Sequence, residues 1–246
     1  YQRFERHVLV DDLDGVKVIT LRRPEALNAL HDEMTDEILA VIRRHENDDA
    51  VAGFVITGYG TRAFCAGADI GRFPSMLGDA NASAGYARDC SRVLVHLDGM
   101  AKPVVAALNG MALGGGFELA MRCHALVAMR DAWMQFPEIT LGILPGIGAM
   151  VVPYRRWPGA AAVFHGMLRQ AEKLTAARAH ELGKTDDWVV VYYDTDHAQR
   201  QFTVVDATRG VFAGKRIVRG RETECLDYYA GPTGVDRPPD RIETTD

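Results

Sequence analysis

The sequence predicts an α/β fold, because short β-branched runs alternate with segments of helical periodicity from residue 8 to residue 128, and glycine or proline stands at most of the changes between them. Val8 to Leu21 reads as a hairpin: Val-Leu-Val, a turn through Asp11, Asp12, Asp14 and Gly15, then Val-Lys-Val-Ile-Thr-Leu. Pro24 breaks the second strand. Leu30, Met34, Ile38, Leu39 and Ile42 then recur at helical spacing up to the polar run from Arg43 to Asp49, which predicts a helix. Ala52 to Thr57 is a short buried strand ended by Gly58 and Gly60. The cycle repeats as a helix over Tyr86 to Leu97, a strand over Val104 to Leu108, a helix over Gly116 to Cys123 and a strand over His124 to Ala128. Such alternation implies parallel pairing through helical crossovers.

Composition narrows the function classes. With 48% hydrophobic and 25% charged residues, the 246-residue chain has the balance of a globular domain able to bury a sizeable core. A net charge of -5 gives no drive toward nucleic acid or acidic membranes. Cys65, Cys90, Cys123 and Cys225 lie too far apart for a zinc-ligand spacing, and the eight histidines show no His-x-x-x-His pattern, so no metal site is expected. Buried or free thiols suit a reducing cytoplasm. No apolar run approaches the ~20 residues that span a bilayer. The chain opens on Tyr1, the expected mark of trimming or of an attachment to another domain.

Residues 109 to 122, Asn-Gly-Met-Ala-Leu-Gly-Gly-Gly-Phe-Glu-Leu-Ala-Met-Arg, carry the chemistry. Gly114, Gly115 and Gly116 let a ligand approach the backbone closely, and N–H groups at a helix start have no partner within the helix. They can donate to developing negative charge, helped by the helix dipole. Glu118, in the first turn, is placed to move a proton beside that charge.

Three further segments accompany this one: Leu21 to Leu30 (Leu-Arg-Arg-Pro-Glu-Ala-Leu-Asn-Ala-Leu), Phe64 to Ile70 (Phe-Cys-Ala-Gly-Ala-Asp-Ile) and Phe136 to Gly146 (Phe-Pro-Glu-Ile-Thr-Leu-Gly-Ile-Leu-Pro-Gly). In order and spacing the four segments resemble the crotonase superfamily of acyl-CoA enzymes, over roughly residues 8 to 183. The resemblance implies a ββα spiral. It also implies an oxyanion hole from the N–H groups of Ala68 and Gly115, with Ala26, Ala66, Asp69 and Ile70 lining the coenzyme A channel. Glu118 and Glu138 match the two glutamates of enoyl-CoA hydratases, which add water reversibly to a 2-enoyl-CoA to give the 3-hydroxyacyl-CoA, as in fatty acid β-oxidation. By that likeness Glu118 positions and activates water, and Glu138 delivers the proton at C2. Coenzyme A is then part of the substrate, and no separate cofactor is expected. An enoyl-CoA isomerase of the same superfamily, or a crotonase-fold binding protein with impaired catalysis, is the alternative.

The domain expected to act on acyl-CoA therefore covers residues 1–183. Residues 184–230 read as an atypical β-rich C-terminal segment, with strands at Trp188 to Tyr193, Gln201 to Val205 and Lys215 to Val218 and a short helix from Glu222 to Tyr229. Residues 231–246, rich in Pro, Asp, Arg and Thr, read as disordered. Relatives carry closing helices at this point that knit trimers or hexamers, so homo-oligomerisation is the family expectation. From residue 186 onward 8 Lys and Arg face 12 Asp and Glu, a balance that opposes nucleic-acid binding.

Overall fold

The computed structural model describes residues 7–183, 190–193, 214–218 and 221–225. The chain divides into two compact units, residues 1–193 and residues 194–246.

The first unit opens with strands β1 (Val8–Leu13) and β2 (Val16–Leu21), paired antiparallel with Leu13 opposite Val16. The turn is tighter than the acidic run suggests. Only Asp14 and Gly15 lie outside the strands, at φ 49° and 83°, the left-handed pair that a two-residue hairpin of this twist requires. Asp12 stays in β1 because its carboxylate accepts from the Gly15 N–H and from Lys17 Nζ. Helix α1 (Asp32–His45) starts two residues later than its apolar periodicity suggests, since His31 is the cap and its Nδ1 accepts the Met34 N–H at 3.0 Å. Leu30 instead bridges to Ala68.

From here the chain winds in repeating turns. Strands β3 (Gly53–Gly58) and β4 (Ala63–Cys65) lead to helix α2 (Ala80–Asp98), and β5 (Val104–Leu108) and β6 (Met111–Leu113) lead to α3 (Gly115–Arg122). Strands β7 (Ala125–Met129) and β8 (Trp133–Gln135) are followed by a 3-10 turn over Glu138–Leu141 and helices α4 (Val152–Arg156) and α5 (Ala161–Gln170). The short strand β9 (Leu174–Thr175), helix α6 (Ala176–Gly183) and strand β10 (Val190–Tyr193) complete the unit. Each turn gives one strand to a six-stranded sheet, β1-β2-β3-β5-β7-β10, and the next to a four-stranded sheet, β4-β6-β8-β9. From β2 to β10 the large sheet is parallel throughout. This is a ββα spiral.

Helix α2 begins six residues before Tyr86. Asp79 caps it by accepting the Ala82 N–H, and its first turns, Ala-Asn-Ala-Ser-Ala-Gly, carry no apolar periodicity by which the start could be read. Phe54, Phe64, Phe117 and Phe136 are fully buried in the core. The rings of Phe117 and Phe136 meet at 5.3 Å between centroids, joining the segments that carry Glu118 and Glu138.

The second unit contains an antiparallel pair, β11 (Gly214–Val218) and β12 (Arg221–Cys225). The expected helix from Glu222 is therefore a strand as far as Cys225. Val218 pairs with Arg221, so only two residues separate the strands, and that spacing together with β-branched Ile217, Val218 and Thr223 favours a hairpin. The strand expected at Gln201 to Val205, residues 226–229 of the expected helix and the tail from Gly231 lie outside the described residues.

Candidate active site

The site is built around the start of α3. Gly114 caps this helix at φ 44° and ψ -122°, a conformation that L side chains rarely adopt. Its N–H donates to Gln135 O at 2.9 Å, and its carbonyl accepts the Glu118 N–H at 2.9 Å. A β-carbon at Gly114 would stand 2.4 Å from Glu138 Oε1, so the Glu138 carboxyl occupies the space that a side chain would take. One residue on, a β-carbon at Gly115 would lie 3.5 Å from Ala68 N and 3.4 Å from Ile147 Cδ1. The two backbone donors and the Glu138 carboxyl thus share one patch.

Ala68 is held there by a stitched pair of segments. The Ala66 N–H donates to Leu27 O, the Leu30 N–H to Gly67 O and the Asp69 N–H to Leu30 O, at 3.0, 2.7 and 2.7 Å. These bonds use the N–H groups of Ala66 and Asp69 and leave that of Ala68 without an acceptor among the described residues. The Gly115 N–H, first in its helix, is equally free among them. Gly67, at φ 95°, makes the bend between Ala66 and Ala68, and a β-carbon on it would strike Leu113 O at 2.8 Å. Beneath the patch the Cys65 thiol packs against Gly116, where a β-carbon would fall 2.8 Å from Sγ. Burial pushes that thiol up to about 12.

The two carboxyls differ in surroundings. Glu118 is 2% exposed, and its Oε1 accepts the N–H groups of Ile147 and Ala149 at 3.1 and 2.7 Å. Burial raises its pKa against the pull of those donors. Glu138 is 8% exposed, and its Oε2 is buried with no partner among the described residues. Burial, with the charge of Glu118 adding to it, lifts Glu138 to about 7. At neutral pH a large share of Glu138 is protonated, which suits a group that both gives and takes a proton.

Among the other expected site residues, Ala26 and Ala66 are half-buried and lie on the two stitched segments, and Ile70 is 59% exposed beside them. Asp69 has both oxygens engaged within the chain: Oδ2 accepts from Arg23 Nη2 at 2.8 Å, and Oδ1 from the Gly71 N–H at 3.0 Å. Burial pushes its pKa up, but the Arg23 and Gly71 hydrogen bonds outweigh this and hold it below the usual carboxylate range.

Sequence reasoning missed Arg23, Asn28, Ile147 and Ala149. Asn28 Nδ2 donates to Tyr59 O and Ala63 O, pinning the Leu21–Leu30 segment to the β3–β4 connection. Arg23 and Asn28 stood within a quoted motif. Ile147 and Ala149 contribute backbone N–H groups, which no residue type advertises.

The described residues that could gather on a metal are His31, Asp32 and Glu33. His31 Nδ1 already takes the Met34 N–H, and Arg72 pairs with both acids. No helix among the described residues is long and apolar enough to cross a membrane.

The profile of a family described as Enoyl-CoA hydratase/isomerase matches residues 11–195. The chain is 40% identical over 142 residues to the short-chain-enoyl-CoA hydratase of Clostridium acetobutylicum, covering 58% of this chain and 54% of that protein. It is 37% identical over 169 residues to a probable enoyl-CoA hydratase of Bacillus subtilis, covering 68% and 63%. Among solved structures, an enoyl-CoA hydratase from Thermoplasma volcanium matches at a TM-score of 0.68 and 32% identity, over 78% of this chain and 73% of that one. The chain spans between half and two thirds of the length of these two curated relatives.

Proposed function

The chain belongs to the enoyl-CoA hydratase/isomerase family, and on that premise we propose that it adds water reversibly to a 2-enoyl-CoA thioester, giving the 3-hydroxyacyl-CoA. The observation that carries this reading is the pairing of two buried carboxyls, Glu118 and Glu138, beside two N–H groups without an acceptor among the described residues, that of Gly115 at the start of α3 and that of Ala68 on the segment stitched next to it. The thioester oxygen accepts from the N–H groups of Ala68 and Gly115, which draws electrons from C3 toward the carbonyl. Glu118, anchored through Oε1, holds water against C3 and accepts its proton as the C–O bond forms. Glu138 then passes its proton to C2, and the enolate collapses to the thioester. The reverse direction uses the same groups in the opposite roles.

Hydration divides two proton transfers between two carboxyls in unlike environments, which favours it over isomerisation, where one group can shuttle a single proton. The same reading makes the chain a homo-oligomer. Leu141, Leu144, Met150 and Val151 are 46–70% exposed around the loop that anchors Glu118, and self-association would cover them. The deciding assay follows the absorbance of the conjugated enoyl thioester of crotonyl-CoA. Its loss, with 3-hydroxybutyryl-CoA as product, is the expected result. Conversion of 3-enoyl to 2-enoyl-CoA without hydration would establish the isomerase instead, and no change with either would refute both.

A further inference from the structure

Arg23 lies 45 positions before Ala68 and touches neither carboxyl, yet its contacts converge on the segment that presents the Ala68 N–H. Its guanidinium donates to Ala29 O through Nη1 and to Asp69 Oδ2 through Nη2, both at 2.8 Å. Its backbone is tied to Asn28, N–H to Oδ1 and carbonyl to N–H. The ion pair is largely sheltered, with the side chains 15% and 21% exposed, so solvent screens it less than a surface pair. Between its two ends run the three hydrogen bonds that join residues 27–30 to residues 66–69.

We infer that the Arg23–Asp69 pair is a positioning device for the oxyanion donor at Ala68. Without it the 66–69 segment keeps its backbone stitches but loses the cross-brace that fixes its distance from Gly115. A donor serves an oxyanion only within a few tenths of an ångström of its working place, and displacement by about 1 Å can cost 100-fold in rate. Arg23 and Asp69 therefore act on the reaction through Ala68, without touching the substrate's reacting atoms. Asp69, which the family resemblance puts along the coenzyme A channel, is assigned instead to the brace.

The inference rests on the hydratase reading, and its test separates the two. Asp69→Asn retains a carbonyl oxygen to cap Gly71 but removes the charge, Arg23→Met removes both guanidinium bonds at similar length, and Arg23→Lys restores the charge alone. Each is assayed with crotonyl-CoA. Each is also combined with Glu138→Gln, to record the red shift of the bound enoyl thioester as its carbonyl is polarised. The brace predicts a fall in kcat of about 10- to 100-fold for Arg23→Met and Asp69→Asn, KM within about threefold, a smaller red shift and partial recovery in Arg23→Lys. A merely structural pair would lower the melting temperature and leave kcat and the red shift intact, which overturns the inference. So would a rise in KM with kcat unchanged, the mark of a coenzyme A contact. If Arg23→Met fails to fold, Asp69→Asn carries the same readouts. A wild-type protein that neither hydrates nor shifts the thioester absorbance defeats the hydratase reading, and the inference with it.

Discussion

The carboxyl of Glu138 rests on the backbone of Gly114, where a β-carbon would come within 2.4 Å of Oε1. Gly114→Ala should therefore displace the acid while leaving its chemistry in place. Hydration should fall about 100-fold, and the positive φ should cost about 1–3 kcal/mol of stability. Turnover together with thermal melting checks both, and an active, equally stable variant contradicts the contact.

Glu138→Gln preserves shape but cannot donate the proton. Loss of a positioned acid or base is worth about 10²- to 10⁴-fold, and Glu118→Gln should lose a comparable amount while still binding the thioester. The double variant should lose less than the product of the two, because both groups serve one transition state. Retention of more than half of wild-type turnover in either single variant removes that residue from the chemistry.

The same carboxyl links stability to pH. Glu138 titrates at about 7 in the folded chain and near 4.3 when unfolded, so folding takes up a proton in the interval. Its contribution is full below about pH 4 and is lost as pH rises through about 7. The melting temperature of wild type relative to Glu138→Gln should drop by roughly 5 °C between pH 5 and pH 8. Groups common to both proteins and remote from residue 138, such as Glu33 held down to about 2 by Arg72, cancel in the difference. A difference that does not change with pH would mean that Glu138 titrates normally.

Gly115 is the first residue of α3, a position where helices accept proline because its N–H has no helical partner. Gly115→Pro should fold, yet remove one oxyanion donor and lower kcat by about 10²- to 10³-fold. Normal turnover in a folded variant would show that this N–H is not used.

Strand β10 pairs with β7 along Val190–Tyr193. A chain ending at Gly183 would leave β7 as an unprotected edge, so it should aggregate on size-exclusion chromatography, whereas deletion of residues 231–246 should leave melting and activity unchanged. A soluble, active protein ending at Gly183 would show that β10 is dispensable.

Gly114, Gly115, Glu118 and Glu138 stood out in the sequence as residue types within short motifs, and folding brings them to one patch. The spiral was legible through the same resemblance, but strands of three residues such as Ala63–Cys65 and Met111–Leu113 are shorter than any periodicity. The Arg23–Asp69 pair spans 46 positions and was invisible until folding brought its ends together. The N–H groups on Glu118 leave no trace in side-chain identity at Ile147 and Ala149. Arg221–Cys225 misled because a polar run with one leucine beyond it fits a short helix as easily as a strand.

The Cys65 sulfur, wedged between Gly116 and the carbonyl of Gly67, is a chronometer for the backbone around it. With its pKa at about 12, the thiolate is only about one part in ten thousand at pH 8, and burial bars any alkylating reagent from it. Alkylation must wait for the two glycine segments to part. In a background where Cys90, Cys123 and Cys225 are replaced, the rate at which a maleimide captures Cys65 would count those partings directly, and a bound thioester that clamps the segments would slow the count.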